Sequence, residues 1–199
     1  MSRKAYFNEA ANTWDEKYDT PELASFLKKL VPKFGLSSGQ NILDVGTGTG
    51  ILIPFLIHAV GPSGSITAID YAEEMVKICK SKYSHLKNVT IMTQDIEKVT
   101  FPPNSLNAVT CFGLFPHIEN REKVLCKIYH VLKTRGKLII AHALSSAEIK
   151  AHHKDASPAV IGDTLPEGRE MKRLLNHAGF CNVYIKDKPG CYLCISNKL

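Results

Sequence analysis

A glycine-rich run follows directly on a short apolar stretch, and this junction constrains the fold more than any other part of the chain. The stretch is Asn41-Ile42-Leu43-Asp44-Val45, and the run continues as Gly46-Thr47-Gly48-Thr49-Gly50. Glycine permits the positive φ of a tight turn and lets a ligand approach the backbone closely. The free N–H groups at the beginning of the following helix add hydrogen-bond donors. The run therefore predicts a nucleotide site at the edge of a parallel sheet.

Strand-like and helix-like segments alternate along the chain, which indicates an α/β fold with a mostly parallel sheet. We expect strands at 41–45, 65–69, 89–92, 108–112 and 137–142, and an antiparallel closing pair at 183–186 and 192–196. We expect helices at 4–18, 22–33, 51–60, 72–83, 119–132 and 167–177, whereas 145–166 is the least regular stretch. With 199 residues, 44% of them hydrophobic, the chain has the length and composition of one globular domain, which we predict over 1–199.

Acidic residues at the ends of three predicted strands narrow the choice of ligand. The dinucleotide fingerprint is Gly-x-Gly-x-x-Gly, whereas here Ile51 stands where its third glycine would fall. A carboxylate at Asp44 would repel a pyrophosphate, but it suits a ligand with a positive ammonium and sulfonium. Asp70 ends the second strand, where an acid accepts hydrogen bonds from ribose hydroxyls. Asp95 closes the third strand, where it is placed to accept a bond from an adenine amino group.

These motifs resemble those of the class I S-adenosylmethionine-dependent methyltransferases, especially the branch that includes the ubiquinone and menaquinone biosynthesis enzymes. The resemblance covers nearly the whole chain, and its main segments are 42–50, 68–75 and 94–97. It implies a Rossmann-like, doubly wound, mostly parallel seven-stranded sheet in the order 3-2-1-4-5-7-6, with an antiparallel pair at the C-terminus. It also implies an N-terminal helical cover over 1–35 on a core over 36–199. Trp14 and Tyr18 either close the site or simply pack on the core.

The resemblance implies S-adenosylmethionine as the cofactor. It assigns the methionine moiety to Asp44 and Gly46, the ribose to Asp70 and the adenine to Asp95. Met75 either packs on the adenine face or belongs to the core. The expected cofactor-binding residues are Asp44, Gly46, Gly48, Gly50, Asp70, Tyr71, Met75, Asp95 and Ile96. One departure from the family pattern is Leu106-Asn107, where Phe-Asp usually precedes the fourth strand.

Several histidines lie where the substrate is expected, after the fourth and fifth strands. His117 is either a base or substrate contact, or a helix-start histidine without a role. His142 ends the fifth strand and is followed by His152, His153, Asp155 and Asp163. Such side chains can bind a divalent metal, contact a polar substrate, or act as acid and base, but their spacing matches no closed zinc pattern. We predict His117 and His142 as the catalytic residues and assign no metal ligand.

The predicted reaction is methyl transfer to a small-molecule nucleophile by in-line displacement at the sulfonium methyl, because little chain remains outside the core fold. Leu114 and Phe115 indicate an apolar wall for the substrate. The Asn/Asp-Pro-Pro-aromatic tetrad of enzymes that methylate base amines or glutamine amides is absent. The alternatives are methylation of a protein or RNA, and a non-catalytic S-adenosylmethionine-binding subunit.

Composition and charge bear on the partners and the cellular location that we expect for this protein. The net charge of +6 comes from scattered lysines rather than from a basic stripe, which makes a nucleic-acid partner unlikely. No apolar run reaches the ~18–20 residues of a membrane span, and no signal core is present, so we expect a cytoplasmic protein. The six cysteines are expected to be reduced, with Cys191 and Cys194 on opposite sides of the sheet. A homodimer is left open.

Overall fold

A computed structural model describes residues 1–154 and 156–199, in which helices pack on both faces of a seven-stranded sheet. The strands are β1 Asn41–Val45, β2 Ser65–Asp70, β3 Val89–Thr93, β4 Leu106–Phe112, β5 Leu132–His142, β6 Cys181–Lys188 and β7 Cys191–Asn197. The helices are α1 Arg3–Tyr18, α2 Pro21–Leu30, α3 Ile53–Val60, α4 Glu73–Tyr83, α5 Arg121–Val131, α6 Ser146–Lys154 and α7 Gly168–His177. In these ranges no helix combines the length and apolar character that crossing a bilayer requires.

The strand order is β3-β2-β1-β4-β5-β7-β6, which confirms the predicted order. Strands β1 to β5 pair in parallel, and β7 runs antiparallel to both of its neighbours, β5 and β6. The order reverses between β1 and β4, so the loops that leave these two strands turn away from each other. The crevice that opens there is the usual ligand position in such sheets.

Two hydrophobic clusters fill the two faces of the sheet. One packs α2 and α3 against it, and the other packs α5 and α7 against the opposite face. Side chains of a strand alternate between faces, and β7 shows the consequence. Cys191 belongs to the first cluster and Cys194 to the second. Both residues are buried, and they lie on opposite faces of the sheet, as their spacing in the sequence predicts.

Helix α1 lies over the carboxyl edge of the sheet on a small apolar contact of its own. Ala11 is buried against Ala72 and Met75, with Phe7 and Trp14 packed around them. Polar contacts then fasten the helix at its two ends. At the C-terminal end, the carboxylate of Asp15 accepts hydrogen bonds from Thr49 Oγ1 at 2.5 Å and from Lys82 Nζ at 2.9 Å. At the N-terminal end, Arg3 pairs with Asp163.

Helix α6 occupies the stretch that the sequence analysis leaves irregular. It begins with a capping box: Ser145 Oγ accepts from the Glu148 backbone N–H at 3.2 Å, and Glu148 Oε2 accepts from the Ser145 backbone N–H at 2.8 Å. Ser-x-x-Glu is a sequence signature of a helix start, so this helix was predictable. Its buried residues, Ile149 and His153, are four positions apart and therefore share one face.

Strand β5 begins earlier than predicted, at Leu132 rather than at Lys137. The chain passes directly from α5 into the strand, because Leu132 already pairs with Leu106 of β4. An irregularity in the register follows, where Arg135 adopts a positive φ of 64°. The carboxyl end of the strand is unaffected, and His142 ends it as predicted.

Candidate active site

Two adjoining cavities lie at the carboxyl ends of β1, β2 and β4. The first, the histidine cavity, has a volume of about 230 Å³ and is lined by Asp44, Gly48, His117, His142 and His153, among others. The second, the acidic cavity, has a volume of about 310 Å³, and its lining includes Asp95, Glu97 and Glu119. Side chains and backbone from the centre of the crevice belong to both linings: Phe7, Gly46, Asp70, Tyr71, Leu114 and His117.

The glycine turn places its first two glycines against the histidine cavity. Gly46 has a φ of 70°, and a Cβ atom there would lie 2.7 Å from Leu114 Cδ1. Gly48 has a φ of 55°, and a Cβ atom there would meet only Met75 Sδ and Trp14 Nε1, each at 4.0 Å. Both positions therefore favour glycine on conformational grounds, and Gly48 leaves its backbone open to a ligand.

Gly50 lines neither cavity, unlike the other two glycines predicted to bind the cofactor. Its φ is 89°, and a Cβ atom there would lie 2.6 Å from Tyr83 Cε2 and 2.8 Å from Cys79 Sγ. Both of those side chains belong to α4. The structure therefore places Gly50 at a close contact between the turn and this helix, which requires glycine for packing.

Asp44 is the most buried charged group of the crevice, with 1% of its surface exposed. The register of β1 on β4 sets it opposite Thr110, whose hydroxyl donates to Asp44 Oδ1 at 2.6 Å. Within the described part of the chain, Asp44 Oδ2 has no hydrogen bond of ordinary geometry, and the same is true of the Thr47 hydroxyl, which lies close enough to lower the pKa of the carboxyl. Burial raises the pKa of this carboxyl to about 6. A buried carboxylate oxygen without a partner is costly, and a cationic ligand group would satisfy it.

Asp70 holds the turn in shape and faces both cavities. Its Oδ2 accepts from the Gly48 backbone N–H and its Oδ1 from the Ala72 backbone N–H, each at 2.9 Å. Burial raises the pKa of this carboxyl. Each carboxylate oxygen can accept a further hydrogen bond, so Asp70 retains capacity for a ligand. Tyr71 follows it in the linings of both cavities.

The remaining predicted cofactor residues divide between the two cavities. Met75 lines the histidine cavity, whereas Asp95 and Ile96 line the acidic cavity. Asp95 closes a tight turn after β3, because its Oδ1 accepts from the Glu97 backbone N–H at 2.9 Å. The predicted set other than Gly50 therefore lines the two adjoining cavities.

His117 is joined to the cover helix through a buried carboxylate. Its Nδ1 lies 2.7 Å from Asp163 Oδ2. Arg3, on α1, grips the same carboxylate with Nε at 3.0 Å from Oδ2 and a second nitrogen at 2.7 Å from Oδ1. Burial lowers the pKa of His117, and Asp163 offsets that effect only in part. Burial would raise the pKa of Asp163, but the hydrogen bonds from Arg3 and His117 hold it below its usual range.

Three further histidines line the same cavity. Burial lowers the pKa of His142 to about 4, and the nearby rings of His117 and His153 add to that shift. The ring of His153 lies 5.1 Å from that of His117 and 5.7 Å from that of His152, measured between centroids. Asp155, which the sequence groups with these histidines as a candidate metal or substrate ligand, lies outside the described residues. Among the described residues, no group of three or more His, Cys, Asp or Glu side chains is arranged to hold a metal ion.

Several lining residues were not predicted from the sequence, and one residue predicted to form the cavity wall lies elsewhere. Phe7 stacks edge-on against both Trp14 and His117, at centroid distances of 5.8 and 5.2 Å. Its spacing of seven positions from Trp14 puts both rings on one helix face, a signal that the sequence contains. Phe115 does not form the predicted cavity wall, because it is buried in the core with 1% exposure. Leu114 does line both cavities.

A family model described as a methyltransferase domain matches residues 36–179. The chain belongs to this methyltransferase family. A demethylmenaquinone methyltransferase of Staphylococcus aureus (strain JH9) is 27% identical to it, over 82% of this methyltransferase and 77% of that protein. A SAM-dependent methyltransferase from Aquifex aeolicus has a crystal structure with a TM-score of 0.77 and 26% identity, covering 94% of this methyltransferase and 98% of that chain.

The fold is shared with more distant structures as well. Phosphoethanolamine N-methyltransferase 2 of Haemonchus contortus, solved in complex with S-adenosyl-L-methionine, gives a TM-score of 0.69 at 20% identity, over 81% of this methyltransferase and 38% of that chain. The family model and the Aquifex aeolicus enzyme carry a further statement: the chain is an S-adenosylmethionine-dependent methyltransferase, and S-adenosylmethionine is its cofactor. The crevice fits that cofactor, because Asp44 Oδ2 is a buried anionic acceptor and the ligand carries an ammonium and a sulfonium.

Proposed function

We propose that this methyltransferase transfers a methyl group to a small-molecule nucleophile, with His117 as general base and His142 as a substrate contact. The observation that carries the proposal is the position of the histidine cavity. It adjoins the glycine turn on one side and is covered by Phe7, Trp14 and Tyr18 of α1 on the other. Because a helix covers this cavity, a free small molecule reaches it more readily than a side chain on a folded protein or a nucleotide within an RNA.

We propose the following roles for the residues that line the crevice. Asp44 binds the ammonium of the cofactor, and the backbone of Gly46 and Gly48 lies along its methionine moiety. Asp70 accepts from the ribose hydroxyls, flanked by Tyr71. Met75 packs beside the cofactor, whereas Asp95 and Ile96 hold the adenine. Gly50 lets the turn pack closely against Tyr83 and Cys79 of α4 and does not contact the cofactor.

When bound, the cofactor would supply a methyl group on a sulfonium sulfur, and this sulfur is the leaving group that keeps the electron pair of the broken bond. The protein therefore has to orient the nucleophile, remove its proton when it carries one, and exclude water. Among the described lining residues of the histidine cavity there is no Lys or Arg. Apolar side chains such as Phe112, Leu144 and Ile149 line it together with the histidines. This lining favours a substrate without a phosphate or carboxylate group at the methylated end.

One relative supports a small-molecule substrate by its name, the demethylmenaquinone methyltransferase at 27% identity. The alternatives from the sequence, a protein or RNA substrate and a non-catalytic subunit, make different predictions for the same assay. Purified protein is incubated with methyl-labelled cofactor and with separate fractions of small molecules, total RNA and protein. Label in the small-molecule fraction supports the proposal, and label only in RNA or protein contradicts it.

Calorimetry with the cofactor and with S-adenosylhomocysteine tests the binding half of the proposal without a substrate. Asp70→Ala is expected to abolish binding, whereas Asp70→Asn keeps one acceptor oxygen and is expected to weaken it less. His58→Gln is the matched control, because His58 is exposed on α3 and lines neither cavity. Binding that is unchanged in Asp70→Ala would contradict the assigned site.

A further inference from the structure

Three histidines of the histidine cavity each bond a protein group through Nδ1, and the chemistry of each partner is fixed. The backbone N–H of Leu144 lies 3.2 Å from His142 Nδ1 and donates to it. The backbone carbonyl of Asp163 accepts from His153 Nδ1 at 2.5 Å. The carboxylate of Asp163 accepts from His117 Nδ1 at 2.7 Å. An amide N–H can only donate, whereas a carbonyl or an ionised carboxylate can only accept.

These partners determine which nitrogen carries the hydrogen in each ring. A neutral imidazole has one N–H and one bare nitrogen. In the neutral ring, His117 and His153 carry the hydrogen on Nδ1, which leaves Nε2 bare. His142 accepts at Nδ1, so its hydrogen is on Nε2. Burial lowers the pKa of both His117 and His142, the latter to about 4, which keeps these two rings neutral at pH 7.

We propose that the histidines present opposite hydrogen-bonding roles to the substrate, with His117 and His153 accepting through bare Nε2 atoms and His142 donating through its Nε2–H. The assignment rests on the proposed methylation of a small molecule, and it specifies that molecule further. The substrate carries an O–H, N–H or S–H nucleophile that donates to His117. Beside it, the substrate carries an oxygen or nitrogen that accepts from His142. His142 therefore binds and polarises the substrate and is not a base.

The proton has a defined path in this arrangement. It moves from the nucleophile to His117 Nε2, and its bonding electron pair stays on the nucleophile. The imidazolium that forms is paired with the ionised carboxylate of Asp163, and the proton is later lost to water. Asp163 is a positioning residue, because it keeps the hydrogen of the neutral ring on Nδ1. Arg3 holds the same carboxylate, so the docked position of α1 and the orientation of His117 are linked.

Ring-nitrogen NMR of the full chain, labelled with ¹⁵N histidine, reads these assignments directly. Protonated and bare ring nitrogens have distinct chemical shifts, and His117→Gln, His142→Gln and His153→Gln identify the signals. We expect a bare Nε2 in His117 and His153 and a protonated Nε2 in His142. A hydrogen on Nδ1 of His142, or on Nε2 of His117, overturns the proposal. Neutron diffraction of wild-type crystals makes the same measurement if a variant does not fold.

The role of Asp163 is tested by a change that removes its acceptor oxygens and nearly keeps its size. An amide at this position could keep its oxygen toward His117 and Arg3, so the test uses Asp163→Leu. The ring of His117 then loses the acceptor that holds its hydrogen on Nδ1, and we expect hydrogen on Nε2 in the NMR spectrum, with a loss of turnover of about 100-fold, the scale of a lost general base. Asp163→Glu should restore the wild-type tautomer and part of the turnover. A His117 that keeps its hydrogen on Nδ1 alone in Asp163→Leu, in folded protein, overturns the positioning role.

Substitutions at His142 separate a donor from a base. With a substrate found by the labelling assay, His142→Met should lose about tenfold in turnover, the scale of one hydrogen bond, whereas His142→Gln keeps an N–H donor and should lose clearly less. Equal losses in both variants contradict a donor role. The tautomer measurements require no substrate or turnover. Their failure is therefore distinct from failure of the proposed function, which would appear as absent cofactor binding or absent label transfer.

Discussion

The burial of Asp44 predicts that this protein gives up stability in exchange for cofactor binding. The pKa of the carboxyl is raised by burial from 3.8 to about 6. At about 1.4 kcal/mol per unit of pKa, ionised Asp44 lowers the free energy of unfolding by about 3 kcal/mol at pH 7. Stability falls with rising pH because the pKa of Asp44 is higher in the folded than in the unfolded chain. The unfolded chain releases this proton near pH 3.8 and the folded chain only near pH 6, so stability is lost as the pH rises between them.

Asp44→Asn removes the charge and keeps the shape. Its Oδ1 can still accept from Thr110, but its NH₂ replaces an oxygen that has no partner within the described residues, which costs about 1–2 kcal/mol. The net expectation at pH 7 is a gain of about 1–2 kcal/mol in the free energy of unfolding, worth about 2–8 °C in melting temperature for a chain of this size. At pH 4 the gain should disappear, because the folded wild type is then neutral at Asp44.

Cofactor binding should change in the opposite direction. If Asp44 pairs with the ammonium, its loss removes a charge-assisted hydrogen bond worth about 1.5–3 kcal/mol, or about 10–100-fold in affinity. In the wild type the proton must leave before the ammonium binds. Affinity should therefore fall about tenfold between pH 7 and pH 5, one unit below the pKa of about 6. In Asp44→Asn this contribution to the pH dependence should be absent.

Thermal unfolding from pH 4 to pH 7 and calorimetry with the cofactor at pH 5 and 7 make these measurements. Thr110→Val is the matched control, because it removes the hydroxyl that stabilises the ionised form and should lower stability at pH 7. An Asp44→Asn protein that folds but is less stable than the wild type at pH 7, or one that binds the cofactor as tightly as the wild type, would refute this role of Asp44.

Three other changes test separate parts of the structure. Gly50→Ala should lower the free energy of unfolding by about 1–3 kcal/mol, because its Cβ would lie 2.6 Å from Tyr83 Cε2 at a φ of 89°; urea unfolding that matches the wild type would contradict this contact. Lys82→Met removes the hydrogen bond to Asp15 and should speed hydrogen exchange in α1 by about 2–5-fold. Unchanged exchange would show that the apolar contact of Ala11 alone holds this helix in place. The lowered pKa of His142 should reduce the free energy of unfolding by up to about 3 kcal/mol as the pH falls from 6.5 towards about 4, because the unfolded chain binds a proton there and the folded chain does not. His142→Gln should therefore lose less stability than the wild type between pH 7 and pH 4.5, and equal losses would refute the assignment.

The sequence determined the architecture and the half of the crevice that faces the glycine turn. Strand β1, its turn and Asp70 at the end of β2 lie within 30 residues, and their patterns of apolar and glycine residues depend on local backbone geometry. Such patterns are readable without a structure, because a strand end, a positive φ or a helix cap is decided by a few neighbouring residues. The capping box of α6 belongs to the same class, although the irregular composition around it concealed the helix.

Only the tertiary structure decided how the histidines are used. Arg3 and His117 meet at Asp163, although Arg3 is 160 residues from that carboxylate in the chain. The same holds for Gly50, whose neighbours on α4 rather than the ligand cavity account for its glycine. Contacts of this kind depend on the register of the sheet and on how α1 and α6 dock over it. A histidine in the sequence carries no sign of which ring nitrogen will be bonded, because that is set by the donor or acceptor that the fold brings to it.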